Sequence, residues 1–70
     1  MQIILGQMVA RFYGGVGHPT IGMIVGKIID TWIVEWYDGK DAVQIRYQDD
    51  TVRGYVNAYN RLREKLCKAQ

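Results

Sequence analysis

The chain has 70 residues, 49% of them hydrophobic, with two Trp, five Tyr and one Phe, and its formal net charge is +2. This composition excludes a disordered chain, and the single cysteine excludes an internal disulfide. A chain this short folds around one core and buries only about 60% of its unfolded surface, so it depends on good packing or self-association. We therefore predict one domain over residues 1–70.

The chain lacks the sequence features of a membrane or secreted protein. No apolar run reaches the roughly 20 residues that a membrane span needs, and the first residues lack the basic start of a signal peptide. We therefore expect a cytoplasmic protein with no membrane partner. Its charge is uneven, because four bases against one acid lie in residues 57–70, whereas residues 1–56 hold five bases and six acids.

Alternating apolar residues between turn signals predict strands through most of the chain. The first strand precedes a glycine-rich loop, and the second is expected to bend at Gly26. In the third strand the alternation places Trp32, Val34 and Trp36 in the core, and Asp38-Gly39 after it predicts a hairpin. The predicted strands are residues 8–13, 22–29, 32–37, 42–48 and 51–57.

The chain changes from strand to helical periodicity after Asn57. In the predicted fifth strand Val52 and Val56 point inward, and Arg53 and Tyr55 point outward. A short helix over about residues 60–68 then packs its leucines on the sheet and leaves its bases in water. The predicted fold is all-β, a five-stranded SH3-like barrel with a short C-terminal helix.

Three glycine-led or tryptophan-containing segments, followed by a C-terminal one, carry a resemblance to known small barrels. They are Gly6-Gln7-Met8-Val9, Gly22-Met23-Ile24-Val25, Val34-Glu35-Trp36-Tyr37-Asp38-Gly39, and finally Tyr55-Val56 with Leu62. This series resembles SH3-like barrels of the KOW and Tudor type, including short accessory proteins of tailed bacteriophages. The resemblance implies a small interaction module that binds a protein partner or itself as an oligomer, in the cytoplasm of a bacterial or infected host cell.

A weaker similarity is to the plasmid-encoded type II dihydrofolate reductase, a tetramer of SH3-like barrels. It rests on Gly22-Met23-Ile24-Val25-Gly26, which is similar to the second strand of that family, and on Val43-Gln44-Ile45 followed by Tyr47, which is similar to its pore motif. The family motif has no residue corresponding to Arg46 and stands in the last strand, whereas Gln44 stands one strand earlier. A reductase is therefore the third reading of the sequence, and we predict that the chain is not an enzyme.

No group of residues has the composition and spacing of a catalytic or metal site. His18 is the only histidine, and no second His or Cys lies at the spacing of metal ligands. The acidic pairs Asp38/Asp41 and Asp49/Asp50 lie at predicted hairpin tips, where aspartate supports tight turns. We therefore predict no catalytic residues, no metal site and no cofactor.

Protein binding is the function that the pattern favours. Apolar and aromatic side chains beside single charges are typical of interface centres, and we expect them on the outward faces of the third and fifth strands. The predicted contact residues are Ile33, Tyr37, Arg53 and Tyr55, with His18 at the rim. Four aromatic residues, Phe12, Tyr13, Tyr37 and Tyr55, are an alternative frame for a methyl-cation cage of the Tudor kind.

Nucleic-acid binding is the alternative function, since basic groups here alternate with tyrosines that can stack on bases. The candidate residues are Arg46, Arg61, Arg63, Lys65 and Lys68. A strong phosphate binder has a denser basic face than this chain, whose first 56 residues are net acidic. We therefore rank this function second.

Overall fold

The computed structural model describes residues 2–12 and 19–68, with the backbone alone from residue 66. Four antiparallel strands form one sheet and a helix follows the last strand without a loop. The elements are β1 (Met8–Arg11), β2 (Thr20–Ile28), β3 (Thr31–Asp38), β4 (Asp41–Gln48) and α1 (Asp49–Lys68). The strands lie in the sheet in chain order, so each strand pairs with the next one along the chain.

The prediction of a five-stranded closed barrel is wrong. In the described part of the chain four strands form an open sheet, and the predicted fifth strand is the first half of α1. Val52 and Val56 are four residues apart, a spacing that fits one face of a strand and one face of a helix equally well. Asp49 and Asp50 favour a helix start at this point, because acidic residues in a first turn interact favourably with the helix dipole.

The predicted faces of the third strand are confirmed. Trp32, Val34 and Trp36 are buried, with Trp36 only 1% exposed, whereas Tyr37 is 43% exposed. The predicted bend is also confirmed, since the pairing of β2 with β3 shifts register between Ile24 and Gly26.

One face of the sheet, here called the inner face, packs against α1. Val52 and Val56 of α1 are fully buried and form one core with the inward side chains of the sheet. The other core residues are Ile3, Val9, Ile24, Trp32, Val34 and Trp36. The helix therefore takes the place that a barrel-closing strand was predicted to fill, and the opposite face of the sheet, the outer face, lies away from it.

Gly22 lets β2 approach the largest side chain of the core. Gly22 pairs with Trp36 across the two strands. A Cβ atom on Gly22 would lie 2.8 Å from the Glu35 carbonyl oxygen and 2.8 Å from a ring carbon of Trp36. Only glycine fits here without a shift of backbone or ring.

Candidate protein-contact surface

The outer face of the sheet is mainly apolar. Alternation along each strand places on it the residues that we call the outer patch: Met8, Ile21, Met23, Ile33 and Tyr37. Met8 lies opposite Met23, and Ile21 lies opposite Tyr37, so these side chains are neighbours across the strands. No helix or strand in residues 2–12 and 19–68 covers the outer patch, because all four strands belong to one sheet and α1 packs on the inner face.

Two charged side chains accompany the outer patch. Glu35 lies on the outer face of β3 between Ile33 and Tyr37 along the strand, and Arg46 lies opposite Ile33 on β4. Gln44 lies opposite Glu35, so β4 adds polar side chains beside the apolar ones. The described outer face thus carries one acid and one base, so neither positive nor negative charge predominates on it.

The predicted contact residues do not share one surface. Ile33 and Tyr37 lie on the outer face, whereas Arg53 and Tyr55 lie on α1 at the other side of the sheet. Arg53 donates from Nε to Asp49 at 2.6 Å, and Tyr55 packs against the core. His18 lies outside the described residues.

Tyr55 belongs to an aromatic cluster on the inner face, together with Trp36 and Tyr47. Its ring centroid lies 5.2 Å from those of Trp36 and Tyr47, nearly perpendicular to both. Trp36 Nε1 and an Arg11 guanidinium nitrogen each donate to the Tyr47 hydroxyl at 2.9 Å. The Arg11 guanidinium carbon lies 4.4 Å from the Trp36 ring centroid, so the cation position over these rings is taken by the chain's own arginine.

The methyl-cation cage considered from the sequence has other members than this aromatic cluster, and it does not form among the described residues. Tyr37 lies on the outer face and Tyr55 on the inner side, so their rings cannot frame one cavity. Tyr13 lies outside the described residues. The cluster that does form has Trp36 buried in the core, and it stabilises the sheet and joins β1 to β4 through Arg11 and Tyr47.

The junction of β4 and α1 is fixed by Asp49. Its carboxylate accepts hydrogen bonds from Arg53 Nε at 2.6 Å and from Trp32 Nε1 at 3.1 Å. The Arg53 bond first, and the Trp32 bond second, hold the pKa of Asp49 below its ordinary value of 3.8. The side chain therefore ties the first turn of α1 to β3.

The basic residues proposed for nucleic acid are also divided. Arg46 lies on the outer face, whereas Arg61, Arg63 and Lys65 are exposed on α1, and the side chain of Lys68 lies outside the described structure. A groove of about 350 Å³ lies beside the helix, bordered by Phe12, Ala58, Arg61, Leu62 and Lys65. The structure brings together two of the five proposed bases and an exposed aromatic ring.

Sequence reasoning missed three members of the outer patch. Met8 and Met23 fall in predicted strands without a role in binding, and Ile21 lies just before the predicted second strand, although all three alternate with the buried residues Val9, Gly22 and Ile24. The same alternation that placed Ile33 outward could have placed Ile21 and Met23 outward. Their contact with Ile33 and Tyr37 required the register of β2 against β3, which the sequence alone does not give.

The chain was compared with known protein families, with curated proteins and with solved structures, and no match was found in any of the three. The resemblance to KOW- and Tudor-type barrels therefore stays a prediction. Within the described chain no helix combines the length and the apolar character that crossing a bilayer requires.

Proposed function

We propose that this chain is a non-catalytic protein-interaction module that binds its partner through the outer patch. The observation that carries the proposal is an apolar sheet face on which α1 does not pack, where Tyr37 is exposed and the other four members of the outer patch are half-buried. A sheet that is apolar on both faces is normally the middle layer of a structure, with packing on each side. Here the inner face has its helix, and a partner protein supplies the missing layer.

The chemistry of the outer patch supports a protein partner in preference to a polyanion. Met8 and Met23 are adjacent, and methionine adapts its shape to different apolar surfaces. Tyr37 adds a half-exposed ring at the edge of the patch, a residue type enriched where binding energy concentrates. The balance of Glu35 and Arg46 provides charge for orientation without the excess of bases that phosphate binding requires.

Position-specific photocrosslinking in the cell that makes the protein tests this proposal. A photoreactive benzoylphenylalanine replaces Tyr37 on the outer face in one variant and Asn57, exposed on α1, in the matched control. We expect a discrete protein adduct from position 37 that is absent from position 57. An Ile33→Glu change in the same protein should remove the adduct.

Two outcomes would overturn the proposal. One is the absence of any adduct from position 37 in cells where the probe is shown to react. The other is the same set of adducts from positions 37 and 57, which would indicate random collisions. An adduct containing two copies of the chain supports the proposal, with the chain as its own partner, if Ile33→Glu removes it, and it contradicts the proposal if Ile33→Glu leaves it in place.

A nucleic-acid function is the second candidate, and one observation favours it. Arg61 and Lys65 lie one helical turn apart and border the same groove as Phe12, whose side chain is half-exposed. A base stacked on Phe12 would place its phosphates near these two cations. Among the side chains that the structure describes, only two charges border this groove, so we rank this function below protein binding.

We also propose that the module works in the cytoplasm of a bacterial or infected host cell. This location rests on the resemblance to phage accessory proteins and on the single cysteine of the chain.

A further inference from the structure

The two edges of the sheet differ in how they are protected. β1 is four residues long, its Val9 and Ala10 are fully buried, and α1 packs along it. β4 is twice as long, and all its residues except Tyr47 are exposed. No strand of the described chain pairs with the free edge of β4, so no described strand bonds to its outward backbone donors and acceptors.

The middle of β4 has few of the features by which natural proteins prevent edge strands from pairing. The strand has no proline, its register with β3 is continuous without a bulge, and its central inward side chains, Val43 and Ile45, are apolar; its charged residues are Asp41 at the first position and Arg46 on the outer face. Val43 and Ile45 are 48% and 36% exposed, although both lie on the inner face of the sheet beside Trp36 and Val34. The apolar core therefore extends to these two exposed side chains at the edge of the sheet, which a further strand would cover.

We infer that β4 pairs antiparallel with β4 of a second copy of this chain, joining two sheets into one of eight strands. This inference goes beyond the proposed function, because it uses the edge of the sheet and leaves the outer patch free on both copies. It follows the chemistry of the edge, since a row of unpaired backbone groups is best satisfied by another extended strand.

The side chains of β4 are complementary to themselves about a twofold axis at Ile45. Antiparallel pairing there places Ile45 opposite its own copy and Val43 opposite Tyr47, so the inner face stays apolar. On the outer face Arg46 lies opposite Gln44, whose amide oxygen can accept from the guanidinium. A shift that placed Arg46 opposite Arg46 would set like charges together, which disfavours that register.

A second copy is also favoured by the size of the chain. Seventy residues with one cysteine and no internal disulfide give a single small core. Pairing through β4 extends that core, because it covers Val43 and Ile45 without exposing any buried residue.

Sedimentation equilibrium of the purified chain over a hundredfold range of concentration tests the inference. We expect the mass of a dimer at high concentration. Ile45→Lys places a charge on the inner side of the edge strand and should give the mass of a monomer with an unchanged circular dichroism spectrum. The matched control is Ile29→Lys, the same substitution at a residue that is 89% exposed in the β2–β3 turn, and it should leave the dimer intact.

Amide hydrogen exchange supplies a readout that depends on the strand itself. In a monomer the β4 amides that bond to β3 are protected and the alternate ones exchange rapidly. In the dimer both sets should be protected, and Ile45→Lys should restore rapid exchange of the alternate set.

Three results would overturn the inference: a parent protein that is monomeric throughout, an Ile45→Lys protein that remains dimeric, or rapid exchange of alternate β4 amides in the dimer. A dimer that resists Ile45→Lys and dissociates with Ile33→Glu would show self-association through the outer patch. That result would refute the pairing of β4 and support the proposed function. Loss of the adduct from position 37 alone would leave the pairing of β4 unaffected.

Discussion

Gly22 and Gly54 are two glycines at which the same substitution should have opposite effects. At Gly22 an added methyl group would meet the Glu35 carbonyl oxygen and the Trp36 ring, each at 2.8 Å. Gly22→Ala should therefore lower the free energy of unfolding by about 1 to 3 kcal/mol, the usual cost of overpacking. Urea denaturation followed by tryptophan fluorescence measures the loss.

Gly54 provides the control, because it lies in α1 with nothing within 4 Å of an added Cβ. Alanine is the better helix former, so Gly54→Ala should raise the free energy of unfolding by about 1 kcal/mol. Equal effects of the two substitutions would contradict the placement of Gly22 against Trp36.

At the scale of single residues the sequence was informative where one periodicity applied. The burial of Trp32, Val34 and Trp36 followed from strict alternation in a strand with no competing pattern. The aromatic cluster could not be predicted in the same way. Its members come from β3, β4 and α1, and the contact of Arg11 with Trp36 depends on how strongly the sheet bends.

At the scale of elements the start of α1 depends on Asp49. Because hydrogen bonds from Arg53 and Trp32 lower its pKa in the folded protein, the ionised carboxylate stabilises the fold at neutral pH. This contribution is complete above the unfolded value of 3.8 and is lost as the pH falls through the lower folded value. Stability should therefore decrease on acidification below about pH 4.

Asp49→Asn removes the ionised carboxylate and so isolates its contribution to the stability of the fold. The asparagine protein should be less stable than the parent at neutral pH, and the difference should shrink as the parent carboxylate is protonated. Asp50→Asn is the control, since Asp50 shares the first turn and is exposed, and it should leave this part of the pH dependence in place. Urea midpoints measured across the acidic range compare the three proteins, and parallel profiles for parent and Asp49→Asn would contradict the assignment.

The incorrect fifth strand shows why element type was ambiguous after Gln48. Residues 51–57 contain Val52, Tyr55 and Val56, which fit helical spacing of three and four residues as well as partial alternation. The β-branched and aromatic composition favoured a strand, and Asp49-Asp50 resembled a hairpin turn. Packing decided otherwise, because a helix buries Val52 and Val56 against the open sheet while keeping Arg53 in water.

The bases of α1 allow the two candidate functions to be separated. Arg61→Gln together with Lys65→Gln removes the two cations that border the groove beside Phe12. If the chain binds protein through the outer patch, these changes should leave the adduct from position 37 intact and alter stability by at most about 1 kcal/mol.

Elution from heparin at increasing salt compares how strongly the parent and the double variant bind a polyanion. A nucleic-acid binder should elute earlier after the double change. The slope of log K against the logarithm of the salt concentration should become less steep by about 0.9 for each phosphate contact removed. Early elution of the parent, unchanged by the substitutions, is the result that we expect.

At the scale of the whole molecule, the proposed binding through the outer patch depends on a sheet that α1 covers on one face only. The outward position of Ile33 and Tyr37 could be predicted from the sequence, since alternation in β3 placed them opposite the core. That only one face of the sheet is covered depends on the topology. A closed barrel would have presented its outward residues around its circumference, whereas α1 packs on one side only. On the other side Tyr37 is exposed and the remaining members of the outer patch are half-buried, with Ala10 of β1 fully buried beside Ile21.

Competition by an outer-face variant tests whether the outer patch is the surface that binds the partner. Excess unlabelled parent and excess Ile33→Glu are each added during crosslinking from position 37. The variant should fold as the parent does, because Ile33 is only half-buried and a carboxylate there would lie opposite Arg46. We predict that the parent abolishes the adduct and that Ile33→Glu does not. A folded Ile33→Glu protein that competes as well as the parent would contradict the assignment of the outer patch as the binding surface.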